Sequence, residues 1–134
     1  MKDVSVLAAK RLGISRCGCN ALLRDVARQM NEEDISSLVV VDEDGYLEGI
    51  ITRTDVMRAA LAAPKQWAET PCCEWMTTDV VTVQPATSLE SAARILQSRH
   101  IHRVVVAQPE GERLRPLAVV SDGDILYHLA REED

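Results

Sequence analysis

The sequence predicts a mixed α/β fold built from two similar halves, and three observations carry that reading. Apolar runs of strand length alternate with stretches whose apolar residues recur at the helical period. The order strand, helix, strand, strand, helix occurs twice. Residues of the two halves also match at a constant offset. Leu23, Ala27, Arg28, Ile35 and Val39 correspond to Leu89, Ala93, Arg94, Ile101 and Val105, each 66 positions on. After the turn between the paired strands the offset is 69, matching Thr52 to Ser121 and Asp55 to Asp124. The three extra residues fall in that turn, where an insertion costs least. The halves are expected at residues 1–63 and 64–134. About sixty residues make a marginal domain. Two copies packing their sheets about a pseudo-twofold axis would close one core.

Taken in order, Asp3 to Leu12 spaces Val4, Leu7, Ala8 and Leu12 on one helical face, and Gly13 stops it. Ile14 to Cys17 reads as a short strand. Ala21 to Asn31 is the clearest helix, because Leu22, Leu23, Val26, Ala27 and Met30 keep the helical period. Leu38 to Val41 is a buried-type strand, Asp42 to Gly45 a turn, Leu47 to Thr52 the return strand, and Asp55 to Ala62 a second helix. Pro64 and Pro71 break the pattern and leave a linker holding Trp67. A second short helical lead contains Glu74-Trp75-Met76, and the order then repeats: strand Val80 to Val83, helix from Leu89, strand at Val104 to Val106. Turn chemistry at Gln108-Pro109-Glu110-Gly111 precedes a strand at Leu117 to Val120, and a last helix follows Ser121. This hairpin brings His102-Arg103, at the start of its first strand, toward Ser121 and Asp124 at the end of its second.

Composition sets limits on function. Of 134 residues, 46% are hydrophobic and none is Phe, so Val, Ile, Leu, Ala and Met must fill the core. The formal charge of −6 argues against broad binding to nucleic acid or an anionic membrane. No apolar run approaches the ~18 residues of a membrane span, and the N-terminal run is too short for a signal peptide. A cytoplasmic protein is therefore expected, with Cys17, Cys19, Cys72 and Cys73 as reduced thiols. Catalysis finds no footing: there is no Gly-rich phosphate loop before a lysine and no recognisable nucleophile–base set.

The segments Met76 to Pro85, Leu89 to Ile95, His102 to Val106 and Val119 to Asp124 resemble a CBS domain, the module named after cystathionine β-synthase. Leu22 through Gly49-Ile50-Ile51-Thr52-Arg53-Thr54-Asp55 is similar, so the chain resembles a stand-alone CBS pair, or Bateman module. The resemblance implies a regulatory module rather than an enzyme. Its ligand would be an adenosyl compound, AMP, ADP, ATP or S-adenosylmethionine, held in a cleft between repeats, with no other cofactor required. It also implies face-to-face pairing into a homodimer; Leu22/Val26/Met30 and Ile125/Leu129 are apolar helix faces in excess of what one small sheet pair is expected to cover. The downstream target is not legible.

In that family the carboxylate matching Asp55 and Asp124 accepts from ribose hydroxyls, and the hydroxyl matching Thr52 and Ser121 lies near phosphate. A capping box, with the hydroxyl at the N-cap and the acid three positions on, explains either pair without any ligand, and the alternative function is then a ligand-independent interaction module that works through its dimer surface. Capping and ligand contact are compatible, because a carboxylate has acceptor capacity to spare. His102-Arg103 matches a phosphate-gripping pair, whereas Ser36-Ser37 hold that place in the first half without charge. Apolar walls for the base would come from Ile14 to Cys17 and from Val81 and Val83, although core strands are the plainer account of those residues. The family's proline is present as Pro85 and replaced by Cys19 in the first copy. The four cysteines could instead serve a metal or redox sensor, yet Cys72 and Cys73 are adjacent and no Cys-x-x-Cys spacing occurs.

Overall fold

In the computed structural model, which describes residues 4–9 and 14–132, each half of the chain builds a three-stranded sheet from a hairpin and one added parallel strand. The elements run α1 (Val6–Ala9), β1 (Arg16–Gly18), α2 (Leu23–Glu33), β2 (Ser37–Val41), β3 (Leu47–Thr52) and α3 (Arg53–Ala62). Two 3-10 turns follow at Trp67–Glu69 and Cys72–Glu74. The second series is β4 (Thr82–Val83), α4 (Leu89–Arg99), β5 (Arg103–Glu110), β6 (Arg113–Ser121) and α5 (Asp122–Glu132). Sheet order is β1-β2-β3 in one half and β4-β5-β6 in the other, with the outer pair parallel and the hairpin antiparallel each time. The expected α/β architecture is thus observed in both repeats.

Local chemistry explains most boundaries. Helix α2 buries Leu23, Val26 and Met30 at its i, i+3 and i+7 positions, and Asp34 ends it in the left-handed conformation at φ 52°. Helix α4 starts at Ser88, whose hydroxyl accepts from the Ser91 N–H, and His100 ends it at φ 54°. Several boundaries differ from expectation: β4 is shorter than Val80 to Val83, and β5 and β6 are longer than the apolar runs that announce them. The first strand is Arg16–Gly18 rather than Ile14 to Cys17, with Ser15 still accepting from the Val39 N–H. The second hairpin turns at Gly111, φ 66°, rather than across Gln108–Gly111. Pro109 sits in β5 opposite Leu114, beyond the reach of β4, and Pro116 lies on the edge strand β6, so neither removes a hydrogen bond that a central strand would need. The predicted first helix is described over Val6–Ala9; Asp3 and residues 10–13, with the Gly13 stop, lie outside the described residues.

The chain forms two compact units, Ser15–Val80 and Met1–Ile14 with Val81–Asp134. In the 15–80 unit, Leu23, Val26, Leu38, Val40, Ile51, Ala59 and Cys72 form the buried centre. In the other, Val6 joins Val83, Leu89, Val104, Val106 and Val120. Each unit is completed by a lead segment in the same way. The Leu23 N–H donates to Thr70 at 2.9 Å and the Cys72 N–H to Ala21 at 2.8 Å. In the other unit the Leu89 N–H donates to Val4 at 2.8 Å and the Val6 N–H to Thr87 at 2.8 Å. Val6 and Cys72 are therefore equivalent by the 66-residue offset, and both are fully buried. Further along, Thr77 bridges Ile50, and Gly49 lies where an added Cβ would stand 2.7 Å from Met76 Sδ and from the Thr77 carbonyl oxygen. That close approach is why residue 49 carries no side chain.

The helix faces expected to remain uncovered are partly used. Val26, Met30 and Ile125 go into the cores. Leu129 is exposed as expected, together with Met57 and Leu61 on α3 and Leu126 and Tyr127 on α5. His128 is tied down rather than a free surface residue: its Nε2–H donates to the Ala9 carbonyl at 2.9 Å, pinning α5 to α1.

Candidate functional site

The same hydroxyl–carboxylate clasp opens α3 and α5. In the 15–80 unit the Thr52 hydroxyl accepts from the Asp55 N–H at 3.3 Å. Asp55 Oδ2 accepts from the Thr52 N–H at 2.9 Å and from its hydroxyl at 3.0 Å. In the other unit the Ser121 hydroxyl accepts from the Asp124 N–H at 3.3 Å, and Asp124 Oδ2 accepts from the Ser121 N–H at 2.8 Å and its hydroxyl at 3.1 Å. Both are reciprocal capping boxes, as the spacing predicts. Their surroundings differ. Asp55 is 3% exposed and its second oxygen takes the Arg58 guanidinium at 2.7 Å. Asp124 is only partly buried, and Tyr127 stands where the repeat offset puts Arg58.

The hairpin register fixes what faces Ser121. Arg103 lies directly across from it, as Ser37 lies across from Thr52. The backbone link is also duplicated: the Asp122 N–H donates to the His102 carbonyl at 2.9 Å, and the Arg53 N–H to the Ser36 carbonyl at 3.0 Å. His102 has the opposite strand parity to Arg103. Its Nδ1–H donates to Asp122 at 2.9 Å, with both side chains exposed. The pair forms part of the wall of an open groove of about 880 Å³ between α4 and α5, whose apolar lining includes Leu96, Ile101, Ile125 and Leu129. The structure thus brings Arg103, Ser121 and Asp124 together and hands His102 to Asp122, a carboxylate partner the motif reading missed. Its signal lay in the sequence: an acid at the first position of a helix, directly after a hairpin whose first strand follows a histidine.

Of the residues expected to wall the base, Val83 is buried and Ile14, Cys17 and Val81 are half-buried. Val83 is buried and Val81 packs against the same cluster, with its carbonyl accepting from the Val105 N–H at 3.1 Å. Ile14 also packs on that cluster and belongs to no strand, where a strand from Ile14 to Cys17 was expected. Cys17, on β1 opposite Val40, turns toward Cys72, the two sulfurs 3.8 Å apart. The shared hydrogen bond to Cys72, reinforced by burial, pushes the Cys17 thiol up, and the same bond draws Cys72 down. Cys19 and Cys73 are joined by a disulfide, with their Cα atoms 4.8 Å apart. The expectation of four reduced thiols therefore fails for this pair. The fold pairs the cysteines crosswise, 17 with 72 and 19 with 73, because the Cys72 and Cys73 N–H groups bond to Ala21 and Cys19 in the turn after β1. Among the described residues no group of three His, Cys, Asp or Glu side chains could hold a metal ion.

Duplicated sheets, duplicated capping boxes and the Arg103–Ser121 register describe a tandem module, and the CBS domain family model matches residues 17–62 and 72–131. The chain belongs to the CBS domain family. CBS modules are regulatory domains. A relative from Thermofilum pendens, an uncharacterized 33.4 kDa protein, is 33% identical over 111 residues, covering 83% of this CBS chain and 35% of the relative. The chain spans 55% of the length of another relative, from Acidianus ambivalens. A CBS-domain-containing protein from Agrobacterium tumefaciens shares the fold with a TM-score of 0.79 at 24% identity, over 92% of this chain and 94% of its own. The structure of CBSX2 in complex with AMP superposes with a TM-score of 0.83 at 17% identity, over 98% and 99% of the two chains. No described helix of this CBS chain is long and apolar enough to cross a membrane.

Proposed function

We propose that this CBS pair is a regulatory module that binds an adenosyl ligand, AMP, ADP, ATP or S-adenosylmethionine, with Asp124, Ser121 and Arg103 at the stronger site. The observation that carries the proposal is the Arg103–Ser121 register at the N-terminus of α5. A guanidinium, a hydroxyl and the first turn of an eleven-residue helix suit a phosphate. Beside them, Asp124 suits the two hydroxyls of a ribose. The AMP complex of CBSX2 supports the ligand class. In the other unit Thr52 and Asp55 form the same clasp, but Asp55 is almost wholly buried and the uncharged Ser37 faces Thr52 across the hairpin, so this site is the weaker one. His102 acts at the rim by exchanging Asp122 for ligand phosphate. Binding shifts a population of conformations toward the liganded one, and that shift is the regulatory output. The negative net charge supports a small-molecule ligand over nucleic acid or membrane, and a cytoplasmic setting fits such a sensor.

A thermal-shift panel with AMP, ADP, ATP, S-adenosylmethionine and a GMP control tests the site. Ligand at ~100 times its Kd adds about 2.7 kcal/mol, so Tm rises by several degrees with at least one adenine compound. The rise disappears in Arg103→Gln for phosphate-bearing ligands and in Asp124→Asn for all of them; stabilisation that survives both changes refutes the site. We also propose a homodimer. Its support is the exposed apolar set Met57 and Leu61 on α3 with Leu126, Tyr127 and Leu129 on α5. Sedimentation of the protein should give a dimer that Leu126→Glu converts to monomer with its Tm nearly unchanged, since that side chain is 66% exposed.

A further inference from the structure

The corner where β1 meets the Cys72–Glu74 turn holds all four cysteines of the chain. The corresponding corner of the other unit is an internal control. By the 66-residue offset Cys17, Cys19, Cys72 and Cys73 stand where that unit has Val83, Pro85, Val6 and Leu7. Val6 and Val83 pack there in one apolar cluster, so the fold closes this corner without any sulfur. Thiols are not needed for packing. Partners and access then separate the two pairs: Cys17 is partly exposed, but its sulfur faces buried Cys72 rather than another accessible sulfur. Cys72 is fully buried, its sulfur against the Gly18 carbonyl at 3.2 Å and Cys17 at 3.8 Å, beyond the reach of an outside reagent. Cys19 and Cys73 are partly exposed and already bonded to each other.

We propose that Cys19–Cys73 is a reversible redox staple that exchanges with an external dithiol, while Cys17 and Cys72 remain thiols beneath it. A thiolate of the external dithiol attacks one sulfur of the staple, the Cys19–Cys73 bond breaks, and a mixed disulfide forms. The second external thiol then displaces the protein sulfur. Cys19 and Cys73 leave as two thiols, having taken up two electrons and two protons, and the dithiol becomes a disulfide. An external disulfide runs the same steps backwards. The staple spans 54 positions and so encloses α2, β2, β3 and α3 in one covalent loop. Opening it frees that loop in the unfolded chain and lowers the stability of the unit it closes. Nothing in this rests on ligand binding.

The test poises the purified protein across mixtures of reduced and oxidised dithiothreitol and glutathione. Alkylation in denaturant and peptide mass mapping then identify the free thiols. Oxidised protein should label only at Cys17 and Cys72, reduced protein at all four, and reoxidation should restore the 19–73 link in one two-electron step. Reduction should lower Tm by about 5 °C or more in the wild type. The Cys19→Ser/Cys73→Ser protein should have a redox-independent Tm close to that of the reduced wild type. A link found at Cys17–Cys72 or between two chains overturns the proposal. So do four free thiols at every poise, or stoichiometric zinc by elemental analysis.

Discussion

At the scale of single residues, the two repeats carry the same clasp with different neighbours, and the neighbours decide its use. Asp55 has one oxygen on Thr52 and the other on Arg58 in a nearly dry setting. At Asp124 the equivalent of Arg58 is Tyr127, and Arg103 stands across the hairpin from the capping hydroxyl. Asp122 works against an anion at that place. Its carboxylate adjoins Ser121 and holds His102 at 2.9 Å. Two like charges ~6 Å apart in a water-like medium repel by about 0.7 kcal/mol, a factor of roughly three in affinity. Asp122→Asn should therefore tighten ATP binding about threefold at low salt. The gain should shrink as ionic strength rises. Titration calorimetry at two salt concentrations checks it; weaker binding in the variant would show that the Asp122–His102 pair organises the site instead.

At the scale of elements, the strands and helices were legible because burial imposes periods, and Leu23, Val26 and Met30 or Leu47 to Thr52 announce those periods directly. What could not be read was set by contacts between distant segments. The hairpin turn was expected across Pro109, yet the strand carries that proline past the end of β4, where no ladder bond is lost. Val81 and Val83 looked like either core or pocket wall; Val83 is buried in the core, and Val81, half-buried, packs against it. The clasp residues were legible because their spacing is local, whereas the crosswise cysteine pairs were not, since each joins residues 54 or 55 positions apart. Gly49 is a further case. Its lack of a side chain lets Met76 and the Thr77 carbonyl approach, and a carbonyl cannot swing aside as a side-chain tip can. Gly49→Ala should open the Ile50–Thr77 bridge and cost about 1–3 kcal/mol, the range of an overpacked core. Urea denaturation measures the loss, and a change under about 0.5 kcal/mol would mean the 70–77 segment is only loosely attached.

At the scale of the whole molecule, the sequence repeat and the folding unit are cut at different places. The repeat suggests that residues 1–63 form one copy, but the 15–80 unit takes its closing piece from beyond that point. Cys72 is part of its buried cluster; Trp67, Trp75 and Met76 pack on the cluster, and Thr70 and Thr77 supply backbone bonds to Leu23 and Ile50. A fragment of residues 1–63 lacks all of these. Its Leu23, fully buried in the complete chain, would lie open on one side, and burying such a side chain is worth about 1.5–3 kcal/mol. With the capping bonds and Cys72 lost as well, the deficit approaches the whole stability of so small a unit. Residues 15–80 keep every one of these contacts. The longer fragment should therefore unfold cooperatively in urea and protect the β2 amides from exchange, while 1–63 shows neither a sigmoidal transition nor protection. Cooperative folding of 1–63 would mean that α2, the β2–β3 hairpin and α3 suffice as a core, and that the 70–77 segment is an attachment rather than part of it.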